Sequence, residues 1–82
     1  MLMIMRNEFK VGNRVRIINN SEDAPYNVGD VGTICRYNYI MDSYLIAFDI
    51  LNGKKRDPSH SQSQWYVIQE RLGLEKQLIR CE

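Results

Sequence analysis

The chain is short of the residues that staple small folds or carry out chemistry: 2 cysteines, 2 prolines and 1 histidine among 82 residues. Each shortage excludes something. Disulfide scaffolds of this size usually carry four or more cysteines, so Cys35 and Cys81 read as free thiols. Cys35, inside an expected strand, reads as a small buried hydrophobe. No C-x-x-C or H-x-x-x-H spacing occurs, so neither a metal nor a cofactor is expected. His60 lies between Ser59 and Ser61 in a polar stretch. Neighbours in sequence do not make a nucleophile–base pair, which must be assembled in space, and His60 reads as a solvated loop side chain. The Val28–Gly32 segment VGDVG lacks the Lys-Ser/Thr of a phosphate-binding loop and leads into a strand. Asp42, Asp49 and Asp57 stand in or beside turns, where aspartate caps local backbone donors. No catalytic residue is assigned, and the chain is read as a non-enzyme without a small-molecule substrate.

Charge of one sign is missing too. Lys and Arg number 11 against 10 Asp and Glu, a net charge of +1, so no overall field draws the chain to nucleic acid or acidic lipid. Any electrostatic partner must be met by a local patch. There is no long apolar run either. The segment MLMIM, Met1 to Met5, is far short of the roughly 20 residues of a membrane span and of a signal peptide's roughly 7 to 15 residue apolar core. The expectation is a cytoplasmic protein with no membrane partner, whose residues 1–8 form a tail or an extra edge strand and whose start stays open among Met1, Met3 and Met5. At 82 residues there is room for one domain, in a size class that buries only about 60 to 65% of its unfolded surface.

What is present is alternation. Asn13 to Ile18 sets Val15 and Ile17 on one side and Arg14 and Arg16 on the other, the period of a half-buried strand. A polar loop follows, NNSEDAPYN, in which Tyr26 is the one large apolar group. Gly29-Asp30 supplies a turn into a second strand, Val31 to Tyr37, and Gly32 inside it predicts a bulge or barrel corner. Asn38 to Ser43 reads as a loose hairpin connection. Tyr44 to Asp49 is the third strand, Tyr44, Ile46 and Phe48 on one face and Leu45 and Ala47 on the other. Leu51 to Ser63 reads as the longest loop, with a strong turn signal at Asn52-Gly53. Gln64 to Ile68 is the fourth strand, with Trp65 and Val67 on one face and Tyr66 and Ile68 on the other. The spacing then predicts a 3₁₀ turn over Gln69 to Leu72, release at Gly73, and a fifth strand from Leu74 to Arg80. A C-terminal helix with Leu74, Leu78 and Cys81 on one stripe is the competing reading. The fold class is thus all-β, a small five-stranded barrel over residues 9–80 within a single domain of residues 1–82.

The order of these pieces, VGNRVRI, a polar loop, VGDVGTI, YLIAFD and a late Trp before a short turn, resembles the SH3-like barrel superfamily. VGNRVRI and VGDVGTI are similar to the KOW-type barrels of ribosomal and transcription-elongation proteins, VRIINNSEDAPYNVGDVGTI to the small SH3-like barrel protein of photosystem I, and the whole to short SH3-like proteins of phages and bacteria. What these families share is the barrel and not the role. Peptide-binding SH3 domains carry an ALYDY-like segment that is absent here. KOW proteins commonly use basic loops, whereas Glu22 and Asp23 make the first loop acidic.

Two surfaces are candidates for function. The aromatic set Tyr26, Tyr37, Tyr39, Trp65 and Tyr66 lies at strand ends or in loops. Tyr and Trp dominate protein interfaces, and a small barrel has room inside for only some of them, Trp65 being the preferred core plug. The basic run Lys54-Lys55-Arg56 could contact phosphates, and Arg14, Arg16 and Arg36 extend the patch if the outer faces of the first two strands adjoin. The expectation is a binding module for a protein partner, with RNA or DNA as the alternative.

Overall fold

The computed structural model describes residues 9–75, and the strand expected over Leu74 to Arg80, its helical alternative and Cys81 lie largely or wholly outside them. Among the described residues six antiparallel strands make one open sheet: β1 (Arg14–Ile17), β2 (Val31–Asn38), β3 (Ser43–Leu51), β4 (Lys54–Lys55), β5 (Gln64–Ile68) and β6 (Leu72–Leu74). Their order is β4-β3-β2-β1-β6, with β5 on β3. The fold is all-β as expected, and its strand order is consistent with an SH3-like barrel that is not closed.

The second edge of β3 is shared. Its first half ladders with β5 (Ser43↔Ile68 to Ala47↔Gln64), and its end ladders with β4 (Ile50↔Lys55, Leu51↔Lys54). The stretch expected to be loop from Leu51 to Ser63 therefore contains a sixth strand. The reason is the turn at Asn52-Gly53, whose φ values of 57° and 77° match the twist that a tight hairpin needs. The fifth expected strand also begins earlier, at Leu72, because Gly73 stands inside the ladder opposite Arg16 rather than before it.

At Gly32, β2 and β3 approach closely. The register shifts between Val31 and Gly32, as its glycine suggested. A Cβ there would stand 2.5 Å from the Ala47 carbonyl oxygen and 2.7 Å from Ile46 Cγ2. A second shift falls between Ile34 and Arg36 and leaves Cys35 without a cross-strand partner. Cys35 is exposed, which corrects its reading as a buried hydrophobe: its neighbour Ile34 takes the core position, and the strand period turns the next side chain to the outer face.

The core gathers Val15, Ile17, Tyr26, Ile34, Tyr44, Ile46, Phe48, Leu51, Val67 and Leu72, with Phe9, Ala24 and Leu74 packed against it. Phe48 is wholly buried and stacks on Tyr26 with ring centroids 5.9 Å apart. Burying a side chain of this size contributes about 1.5 to 3 kcal/mol. Tyr26 is thus a core residue and not the surface aromatic expected of it. The polar loop folds over one end of the sheet, and the Tyr26 hydroxyl accepts a hydrogen bond from Arg71 Nη1 at 3.2 Å.

Asp30 ties that loop down. The side chain is buried, and its carboxylate accepts backbone N–H groups from Asn27 (2.7 Å), Asn52 (2.7 Å) and Gly53 (3.0 Å). Its own carbonyl accepts the Ile17 N–H at 2.8 Å. One residue thereby joins β1, the loop after it and the β3–β4 turn.

Candidate partner interface

The connection between β2 and β3, residues Tyr39 to Asp42, is a built turn rather than a loose one. Asn38 Oδ1 accepts the N–H groups of Ile40 (3.0 Å) and Met41 (3.2 Å), the local capping for which a short amide side chain suits turns. Asp42 closes the turn with a φ of 54°, a left-handed conformation that Asp tolerates better than most residues. Its Oδ1 accepts the Tyr37 hydroxyl at 2.7 Å. Held at both ends, the tip presents Tyr39, Ile40 and Met41, which are 78%, 79% and 67% exposed. Tyr37 lies below them, its ring 4.9 Å from that of buried Tyr44. Beside it a shallow cleft of about 520 Å³ is lined by Phe9, Lys10, Val11, Tyr37, Asp42, Tyr44 and Gln69. A second hollow of about 470 Å³ shares Phe9, Asp42 and Gln69 with it and extends to Glu70 and Leu72.

The expected aromatic cluster divides. Tyr37 and Tyr39 belong to this hairpin end. Trp65 and Tyr66 stand on β5, opposite Ile46 and Leu45, and are 39% and 43% exposed. Trp65 does not plug the core: it is 39% exposed, whereas Val67, two residues on along the same face of β5, is buried. Sequence reasoning misses Ile40 and Met41. The signal is there in the composition of the turn, since NYIMDS sets two large apolar residues after a Tyr where turn formers are expected.

The basic residues divide as well. Lys54, Lys55 and Arg56 are exposed on the β3–β4 hairpin. Arg16, Val31, Ile50 and Lys55 share one cross-strand row. Arg36 lies opposite Leu45, on another stretch of the sheet. Arg14 is engaged: its guanidinium donates to both Asp49 oxygens (2.8 and 3.0 Å), to Thr33 Oγ1 (3.1 Å) and to Glu75 Oε1 (3.1 Å). The hydrogen bond to Asp49, against some desolvation, raises its pKa further above the ordinary value. A fork spent on two carboxylates has little left for a phosphate.

His60 has a local task. It caps the 3₁₀ turn Ser61–Ser63, Nδ1 accepting the Gln62 N–H at 3.1 Å. Among the described residues no group of three or more His, Cys, Asp or Glu is placed to hold a metal ion, and no helix is long and apolar enough to cross a membrane. Comparison with family models, with curated proteins and with solved structures gave no match.

Proposed function

We propose that this chain is a non-enzymatic binding module of the SH3-like barrel type, and that the β2–β3 hairpin end is where it meets a protein partner in the cytoplasm. The observation that carries this reading is the tip itself: three consecutive large apolar side chains, each at least 67% exposed, on a turn fixed by Asn38 and Asp42. Solvent gives no reason to hold such groups outward. A partner's apolar pocket does, and a turn already ordered loses little conformational entropy on docking. Tyr37 and the adjoining cleft extend the surface. Trp65 and Tyr66 lie on a different element and are not required by it.

Nucleic acid is the second reading, favoured by Lys54, Lys55 and Arg56 on one hairpin with Arg16 in line with Lys55. Arg14, bound to Asp49 and Glu75, weakens it, as does the net charge of +1.

The two readings separate on salt. Binding of the chain to unspecific RNA and DNA is measured by anisotropy at low and moderate ionic strength, alongside capture of proteins from extracts of the source cell. The protein reading expects a captured partner that is lost on Ile40→Asp. It also expects nucleic-acid binding no tighter than the roughly 10⁻⁴ to 10⁻⁶ M range of non-specific contacts. Submicromolar binding with a log–log salt slope of roughly −0.9 per phosphate on duplex, abolished by changing Lys54, Lys55 and Arg56 to Ala, establishes the alternative.

A further inference from the structure

All five residues of β5 pair with β3, and none pairs with another strand among the described residues. Its second edge presents a row of backbone N–H and C=O groups that an extended chain satisfies and a side-chain surface does not. Edge strands are ordinarily guarded by lysine, proline, a bulge or an inward charge. The neighbouring β4 edge is guarded in this way, by Lys54 and Lys55. β5 is not. From Ser61 to Gln69 the chain has no Asp, Glu, Lys, Arg or Pro, the ladder to β3 runs without a register shift, and Trp65, Tyr66 and Ile68 are each about two-fifths exposed.

We propose that β5 pairs antiparallel with β5 of a second copy of this chain, about a two-fold axis through Tyr66, so that two open sheets become one. The pairing is self-complementary. Tyr66 stands opposite the partner's Tyr66, Trp65 opposite the partner's Val67, and Gln64 opposite the partner's Ile68. Aromatic–aromatic and aromatic–β-branched pairs are the favourable cross-strand combinations, and the two-fold axis forms the mixed ones twice. No like charges oppose one another. In this register the first charged residues beyond the strand, Glu70 and Arg71, fall opposite Gln62 and Ser61. The same pairing at β4 would set lysine against lysine. This surface is distinct from the exposed tip at Tyr39, Ile40 and Met41 and does not rest on the function proposed for it.

The test is sedimentation of the full chain over a concentration series from about 10 µM to about 1 mM. The expected result is a monomer–dimer equilibrium weakened at least tenfold by Tyr66→Lys, which sets two cations face to face on the axis. Tyr66→Phe and Ile40→Asp are expected to leave it unchanged. Hydrogen exchange on the unaltered chain gives a second readout, independent of whether Tyr66→Lys folds. Protection of amides within Trp65–Ile68 should rise with concentration while those of β4 stay constant. A chain monomeric throughout overturns the proposal. So does a dimer indifferent to Tyr66→Lys, a dimer broken by Ile40→Asp, or β5 protection that does not depend on concentration.

Discussion

Replacing Asp30 by Ala removes the acceptor of three hydrogen bonds at once. The carboxylate is almost wholly buried, at 2% exposure, but Asn27, Asn52 and Gly53, which donate to it, are themselves exposed residues, so water recovers part of what their N–H groups lose. A hydrogen bond to a charged acceptor is worth about 1.5 to 3 kcal/mol. Discounted for that exposure, the expected loss is about 3 kcal/mol, set against a stability of about 4 to 12 kcal/mol for 82 residues. Asp30→Asn distinguishes lost geometry from lost chemistry. Oδ2 accepts from both Asn27 and Asn52, while Oδ1 accepts from Gly53. An asparagine can therefore keep two bonds, but turns its NH₂ toward the Gly53 donor, and should lose about half as much as the alanine. The assay is urea unfolding followed by circular dichroism, with amide exchange at Asn52 and Gly53 as the local readout. If alanine and asparagine variants both lie within about 0.5 kcal/mol of the unaltered chain, the scale of an ordinary surface substitution, the carboxylate does not join the loop to the hairpin and the reasoning fails.

Gly32→Ala places a Cβ 2.5 Å from the Ala47 oxygen and 2.9 Å from Phe48 Cα. Backbone cannot yield as a side chain does, so a loss of about 3 kcal/mol or more is expected in the same unfolding assay. Phe48→Ala, at the centre of the core, should cost about 3 to 5 kcal/mol, visible as a collapse of the melting temperature; an unchanged melt would remove Phe48 from the core. Asp57 Oδ1 accepts both the hydroxyl and the N–H of Ser59, and these bonds, the hydroxyl first, lower its pKa below 3.8. A carboxylate so lowered contributes stability above its unfolded pKa, lost as pH falls through the folded one. Ser59→Ala should therefore move the Asp57 titration, followed by NMR, upward toward 3.8, and no movement would show that the bond is not made in solution.

The strands were legible wherever alternation met a one-sided core. Gln64–Ile68 has its expected bounds, and Val15, Ile17, Ile46 and Phe48 are inside as their period required. The shift at Gly32 was legible because only a glycine lets two backbones approach so closely. What was not legible depended on long-range geometry. Tyr26 sits in a loop dense in turn formers, and its stacking on Phe48 follows from how the loop folds back, which composition does not encode. Trp65 alternates as Val67 does, yet it is 39% exposed where Val67 is buried, a difference along one face that alternation does not encode. Arg14 sat among candidates for a basic face, while its partners Asp49 and Glu75 lie 35 and 61 positions away. At the hairpin tip, the apolar side chains were in plain view, but the capping by Asn38 that fixes them emerges only from the turn's geometry.

The most direct test of the hairpin end as a protein interface is the affinity of the captured partner for the unaltered chain, for Tyr39→Ala and for the variant with Lys54, Lys55 and Arg56 changed to Ala. An aromatic at an interface centre is worth about 2 kcal/mol or more on truncation, so Tyr39→Ala should weaken binding about thirtyfold. The basic variant should mainly alter the association rate. Full affinity in Tyr39→Ala, with binding lost in the basic variant, would contradict the account and move the interface to the β3–β4 hairpin.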